Sequence, residues 1–155
     1  MVEFRESAVD SGDGATLLVA YGAEIAAMYD GVDVNAPDMP KAGPDELGPP
    51  DGAFLIGYDD EGAAVCCGGL KRLPDGACEI KRMYVVPAGR RRGLARALLH
   101  ALEEAARARG YTVARMDTGP RHQHAIAFYE AEGYRPVANF NGNPVATWFG
   151  EKRLG

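Results

Sequence analysis

Between residues 87 and 95 the chain reads Pro-Ala-Gly-Arg-Arg-Arg-Gly-Leu-Ala. An extended run precedes this segment, and residues with helical spacing follow it, so it forms the entry to a helix. The first backbone N–H groups of a helix have no partner inside it. Ser, Thr, Asp or Asn normally supplies one, and none stands here. The amides are left free, Gly93 lets a ligand approach the backbone closely, and the helix dipole favours an anion. Arg90, Arg91, Arg92 and Arg96 add positive charge. These residues suit a phosphate or pyrophosphate cradle. It is not a P-loop, because the Gly-Lys-Ser/Thr ending is absent. Nor is it a dinucleotide fingerprint, because Gly-x-Gly-x-x-Gly is missing.

Other reactive side chains give narrower readings. The three cysteines are Cys66, Cys67 and Cys78. An odd number with two adjacent makes a poor disulfide framework. Neighbours on a strand point to opposite faces, so Cys66 and Cys67 form no metal pincer. No His or Asp stands near them in a nucleophile arrangement. They read as reduced strand residues, which fits a cytoplasmic protein. His122 and His124 flank Gln123 without a Cys or acid in ligand spacing, so no metal is expected. Strand alternation places Glu79 on one face with Lys81, Met83 and Val85. A carboxylate there either takes a proton through a water or pairs with Lys81 or Arg82. Those two bases either pair with acids or bind an anionic acceptor.

The elements that must position these groups follow from periodicity. Residues 2–7 alternate as a first strand, and 14–29 carry Leu17, Leu18, Tyr21, Ile25 and Met28 at helical spacing, with Asp13 or Ser11 as cap. Residues 30–52 are rich in Pro and Gly and read as a long functional loop with one helical turn near 41–47. Strands over 53–58, 63–73 and 78–86, joined by Asp59–Gly62 and Leu73-Pro-Asp-Gly76, form an antiparallel meander. Leu94, Ala95, Leu98, Leu99, Leu102, Ala105 and Ala106 form the apolar stripe of a helix over 91–109, capped by Gly110. A strand over 112–118, a helix over 124–132 ended by Gly133, and strands over 134–137 and 145–152 complete an α/β (α+β) domain around a mixed sheet. Tyr134 and Trp148 read as core or sheet residues.

The chain has 155 residues, enough for one globular domain. Its net charge is −5, but the charges are segregated. Residues 1–60 hold 13 acids and two bases, whereas residues 61–155 hold 15 bases and 9 acids. A nucleic-acid binder is excluded by this balance. No apolar run approaches the length of a membrane span. Met1–Glu6 does not resemble a signal peptide, and the C-terminus shows no lipidation signal.

Arg90-x-x-Gly93-x-Ala95 resembles the Arg/Gln-x-x-Gly-x-Gly/Ala signature of the GCN5-related N-acetyltransferase (GNAT) family. Glu79–Pro87 ahead of it and Ala97-Leu98-Leu99 after it match as well. Ala125–Tyr134 is similar to the family's second motif, and Phe149–Leu154 to its last strand. The likeness covers about residues 52–154 well and the first 50 weakly.

The resemblance implies a single N-acetyltransferase domain over 1–155, with a mixed, mostly antiparallel sheet flanked by helices. Its CoA-binding core would span about 77–133, and its acceptor side about 14–52 and 136–146. It implies acetyl-CoA as co-substrate, no metal, and transfer to a primary amine of a small molecule or a protein by direct attack in a ternary complex. By position, Met83, Tyr84 and Val85 would contact the pantetheine and acetyl end. Arg91, Arg92, Gly93, Leu94, Ala95 and Arg96 would hold the pyrophosphate. Arg90, Arg91 and Arg92 would reach the 3′-phosphate. Tyr129 lies at the general-acid position and Glu79 at that of a catalytic glutamate. His122 stands where many members place an Asn that holds CoA, either as its replacement or as a helix cap. The alternative is a non-catalytic acyl-CoA-binding regulatory module. No membrane partner is implied; members often dimerise, so a homodimer stays open. The acidic first third favours a cationic amine.

Overall fold

The computed structural model describes residues 1–155 and folds them around one seven-stranded sheet. Strand β1 (Glu3–Glu6) leads to helix α1 (Gly12–Met28). A long connection follows, then β2 (Ala53–Tyr58), β3 (Ala64–Arg72) and β4 (Cys78–Val85). A 3₁₀ turn at Pro87–Gly89 enters helix α2 (Leu94–Ala108), and β5 (Val113–Thr118), α3 (Ala125–Ala131), β6 (Arg135–Pro136) and β7 (Trp148–Arg153) complete the chain. The strand order is β1-β2-β3-β4-β5-β7-β6. Only β4 and β5 run parallel; the other neighbours are antiparallel.

Both faces of the central strands are covered, so alternation sorts their side chains between two cores. Ala53, Leu55, Cys66, Cys78 and Ile80 pack with Leu98, Leu99, Leu102 and Ala106 of α2. Phe54, Ile56, Cys67 and Tyr84 pack on the other face with Leu17 of α1. Cys66 and Cys67 thus point to opposite sides, as strand geometry requires, and all three cysteines are free and buried.

Local chemistry moves some boundaries. Helix α2 begins at Leu94 rather than Arg91, because Arg91 and Gly93 adopt φ of 65° and 75°, outside the helical region. Ser11 occupies the N-cap of α1 without a side-chain cap bond. The Asp13 carboxylate instead accepts a hydrogen bond from the Tyr58 hydroxyl at 2.9 Å. The helical turn in the long loop is one bond, Leu47 N–H to the Gly43 carbonyl at 2.9 Å. The final strand starts at Trp148, three residues later than the sequence pattern suggests.

One irregularity shapes the centre of the sheet. Cys67 faces Tyr84 and Gly69 faces Lys81, so Arg82 and Met83 together oppose Gly68. This is a β-bulge, with Arg82 at φ 59°. Side-chain parity changes across it. Met83 and Val85 pack on the α2 side with Cys78 and Ile80. Glu79 and Lys81 therefore lie on the α1 side, and the shared face expected for Glu79, Met83 and Val85 does not form.

Candidate active site

Strands β4 and β5 pair only at Cys78↔Ala114 and Glu79↔Arg115. β5 then stays with β7 as far as Thr118. The β4 edge from Ile80 to Val85 is left without a strand partner, and Met83, Tyr84 and Val85 lie along it. Backbone groups left without a strand partner can bind a ligand, although the Val85 carbonyl already accepts from Arg90 at 3.0 Å. A cleft of about 160 Å³ opens in the resulting notch. Ile80–Met83 and Met116–Gly119 form its walls, with His122 and Tyr129 from around α3. Tyr21 and Ile25 of α1 and Tyr29 at its C-cap cover it, as do Val34 and Met39 of the long loop and Val145 of the segment before β7. The two segments expected on the acceptor side therefore meet over one cavity.

The entry to α2 carries the second part of the site. No side chain caps the helix, and a Cβ added at Gly93 would meet nothing within 4 Å. Left-handed residues at Arg91 and Gly93 flank Arg92, an alternation of hand that makes backbone anion-binding concavities. Arg91 and Arg92 are exposed and make no ion pair. The other two arginines are engaged. Arg90 donates to the Val85 carbonyl at 3.0 Å and to Glu24 of α1 at 2.6 Å. Arg96 pairs with Glu132 at 3.1 Å. The Arg90 side chain thus ties the end of β4 to α1 instead of standing free for a phosphate. The open backbone amides and two unpaired guanidinium groups make this an electropositive concavity suited to an anion.

Tyr129 lines the cleft with its ring stacked on Trp148 at 6.0 Å and edge-on to Tyr134 at 6.2 Å. Its hydroxyl has no hydrogen-bond partner in the protein. Burial pushes its pKa well above the usual phenol value, so the group keeps its proton. Trp148 is half-buried in the sheet and Tyr134 is core, where its hydroxyl donates to Glu103 at 2.7 Å.

Glu79 lies behind the cleft wall. It is fully buried and does not line the cleft. Its Oε2 accepts from Lys81 Nζ at 3.1 Å and from Asn141 Nδ2 at 2.7 Å, and Oε1 is sealed without a partner. The carboxylate that does reach the cleft is Asp117, near the end of β5. Its Oδ2 accepts from Asn141 at 2.7 Å and Asn143 at 3.1 Å, while Oδ1 makes no protein hydrogen bond. Lys81, Glu79, Asn141, Asp117 and Asn143 thus form one polar chain along the α1 side of the notch. Sequence reasoning missed Asp117. Its signal was an acid near the end of a central strand, on the face opposite Ala114 and Met116.

His122 lines the cleft, and its Nδ1 lies 2.8 Å from the Tyr29 hydroxyl. That hydroxyl also accepts the Arg121 N–H at 3.1 Å, and the direction of its bond with Nδ1 follows the imidazole tautomer. Desolvation lowers the His122 pKa, consistent with the neutral form. Its side chain does not cap α3; its carbonyl accepts the Ala125 N–H at 3.2 Å. No Cys lines the cleft, and burial pushes the three thiols up to about 11 for Cys66 and about 12 for Cys67 and Cys78. No cluster of three potential metal ligands occurs, and no helix is long and apolar enough to cross a membrane.

Known proteins resemble this chain along most of its length. The family model for the acetyltransferase (GNAT) family matches residues 18–134. An IAA acetyltransferase of Azospirillum brasilense is 33% identical over 112 residues, covering 70% of this chain and 72% of its own length. An uncharacterized N-acetyltransferase of Schizosaccharomyces pombe is 29% identical over 101 residues, or 64% of this chain; the match spans 62% of that relative. A solved structure of a proposed acyl-CoA N-acyltransferase from Klebsiella pneumoniae subsp. pneumoniae superposes with a TM-score of 0.79 at 28% identity, covering 100% of this chain and 99% of its own. PaiA N-acetyltransferase of Thermoplasma acidophilum, in complex with coenzyme A, superposes at 0.69 over 99% of both chains. At 14% identity that is a likeness of fold. With three quarters of its length matched and this fold in common, the chain belongs to the acetyltransferase (GNAT) family.

Proposed function

We propose that this protein transfers the acetyl group of acetyl-CoA directly to the primary amine of a small molecule, in a ternary complex, within a reducing compartment such as the cytoplasm. One observation carries the reading. A single cleft brings together an unpaired β4 edge, a hydroxyl without a protein partner and a carboxylate with one free oxygen. Acetyl-CoA would supply the activated acyl group. The amides at the start of α2, with Arg91 and Arg92, would hold its phosphates. Backbone groups of Met83, Tyr84 and Val85 would fix the pantetheine and polarise the carbonyl.

Tyr129 gives its proton to the departing sulfur. Asp117 takes the proton of the ammonium, directly or through one water. Glu79 holds Lys81 and Asn141, and through Asn141 the Asp117 carboxylate, so it is a positioning residue. The thiols are buried and protonated, which supports transfer without an acyl-enzyme. The cover from α1 and two loops favours a small acceptor over a protein surface.

The test is thiol release from acetyl-CoA across amines, amino acids, polyamines, aminoglycosides and peptides. Asp117→Asn should lower the amine-dependent rate by about 10²–10⁴-fold. Glu79→Gln should cost less. If folded, CoA-binding protein releases no thiol with any amine, the non-catalytic acyl-CoA-binding module is the correct reading.

A further inference from the structure

Arg82 is the one cleft residue whose placement the transfer chemistry leaves unexplained. It sits on the bulge at φ 59°, a left-handed position that a residue with a side chain adopts reluctantly. The bulge turns its side chain to the α1 side, under Tyr21, whose ring centroid lies 5.7 Å from the guanidinium carbon. The residue is buried, at 9% exposure, and lines the cleft. It forms no ion pair. Nη2 donates to the Val34 carbonyl at 3.3 Å and to Asn35 Oδ1 at 3.4 Å, both long. Nε and Nη1 have no protein partner, yet they are not sealed. Asp33, the nearby acid, accepts the Asn35 N–H at 2.9 Å and stands beyond ion-pair distance of Arg82. Lys81 next along the strand is neutralised by Glu79.

A guanidinium cannot shed its charge inside a protein. Buried without a counter-ion, it is costly unless an anion completes it. Its remaining N–H groups, which are not sealed, are free to meet such an anion when the cleft is filled. The cleft holds two cations, Lys81 and Arg82, of which Lys81 is paired with Glu79. Apolar Ile25, Val34, Met39, Pro40 and Val145 line it beside the polar Asp117, Thr118, His122 and Asn143. That matches a single carboxylate attached to an apolar body. Arg82 also borders a second cavity beneath the long loop, but Tyr129 and Asp117 face the first one. The cleft volume of about 160 Å³ holds on the order of ten water-sized positions, the scale of one amino acid.

We propose that Arg82 binds a carboxylate of the acceptor, so that the amine acetylated here is an amino acid, or an amino-acid-like metabolite, with an apolar side chain. This rests on the acetyltransferase reading and reverses the expectation of a cationic amine drawn from the acidic first third of the chain. The acids of that third do not reach Arg82 as ion-pair partners, so the net charge of the segment does not describe the pocket beneath it.

The experiment compares acceptor pairs that differ only in the carboxylate: L-leucine with isoamylamine, L-phenylalanine with phenethylamine, and L-tryptophan with tryptamine. For at least one pair the acid should be preferred in kcat/KM by about 10- to 150-fold, the range for a hydrogen bond to a charged group. Arg82→Gln should collapse that preference, and Arg82→Lys should keep part of it. Equal or better turnover of the decarboxylated amines by the unaltered protein overturns the proposal and leaves the enzyme reading intact. A second arm needs no turnover. With CoA present, calorimetry compares N-acetyl-L-leucine, N-acetyl-L-phenylalanine and N-acetyl-L-tryptophan with their carboxamides. At least one acid should bind about tenfold or more tighter than its amide; equal binding in every pair overturns the role of Arg82. Absence of thiol release with every amine would instead overturn the enzyme reading, while this arm still decides on Arg82.

Discussion

Removing one oxygen atom, in Tyr129→Phe, should separate catalysis from stability. The phenyl ring retains its stack on Trp148 at 6.0 Å and its contacts with Phe128 at 5.3 Å and Tyr134 at 6.2 Å. Each such pair contributes about 0.5–1.5 kcal/mol and survives the change. The hydroxyl has no protein partner, so its loss strands no donor or acceptor, and unfolding free energy should move by less than about 0.5 kcal/mol. Loss of a general acid should cost about 10²–10⁴ in kcat, or about 2.7–5.4 kcal/mol of barrier. Because burial keeps the phenol protonated at working pH, the loss should be uniform across the profile. Tyr134→Phe supplies the opposite signature. There the hydroxyl bonds buried Glu103 at 2.7 Å, so stability should fall by about 1–3 kcal/mol with turnover largely kept. The assays are thiol release at saturating substrates, and thermal unfolding with and without CoA. A Tyr129→Phe protein with unaltered kcat refutes the acid role. A rate loss matched by an equal loss of stability would show that the hydroxyl had been doing structural work.

Two further perturbations probe the cradle and the histidine. Gly93→Glu should fold, because its Cβ meets nothing within 4 Å and the left-handed φ costs about 1–2 kcal/mol. The added carboxylate should abolish the rise in Tm given by CoA, about 2.7 kcal/mol of stabilisation at 100 times Kd; an undiminished rise would move the cradle elsewhere. The folded-state pKa of His122 lies below its ordinary value of 6.5, so the unfolded chain takes up the proton first. Stability should therefore fall as pH drops through about 6.5 toward the depressed value. His122→Gln should flatten that slope, and an identical slope in the variant would assign it to other groups.

Much of the fold was legible because its signals are local. The meander of β2, β3 and β4 follows from alternation and a Pro-Asp-Gly turn, and α2 from a stripe in which Leu98, Leu99 and Leu102 are fully buried. The uncapped start of α2 was visible for the same reason, since caps lie within a few residues of the helix they serve. What escaped was set at a distance. Arg90 and Arg96 looked equivalent to Arg91 and Arg92 until Glu24 and Glu132 were brought beside them. Glu79 is sealed by Asn141, 62 positions away. The bulge had a quiet marker in Gly68-Gly69: a Cβ at Gly68 would come within 2.8 Å of Leu102 and 3.2 Å of Met83. Strict alternation has no means of placing the extra residue, so Met83 and Val85 were assigned to the face of Glu79 and Lys81, opposite to the one they occupy.

The ties between α1 and the loops around the notch limit how freely the parts can be exchanged. Glu24 holds Arg90 at 2.6 Å, Tyr29 meets His122 at 2.8 Å, and the Met28 carbonyl and Asp30 receive Arg121 at 2.6 and 2.9 Å. The helix that covers the cleft is thus clasped by the segments that precede α2 and α3. Grafting residues 14–52 from a relative, to import another substrate preference, would leave those clasps without their counterparts. A workable chimera has to carry Arg90, Arg121 and His122 along with the helix, although they are remote from it in sequence. The cover of the cleft is thus built from interlocking pieces rather than from one exchangeable segment.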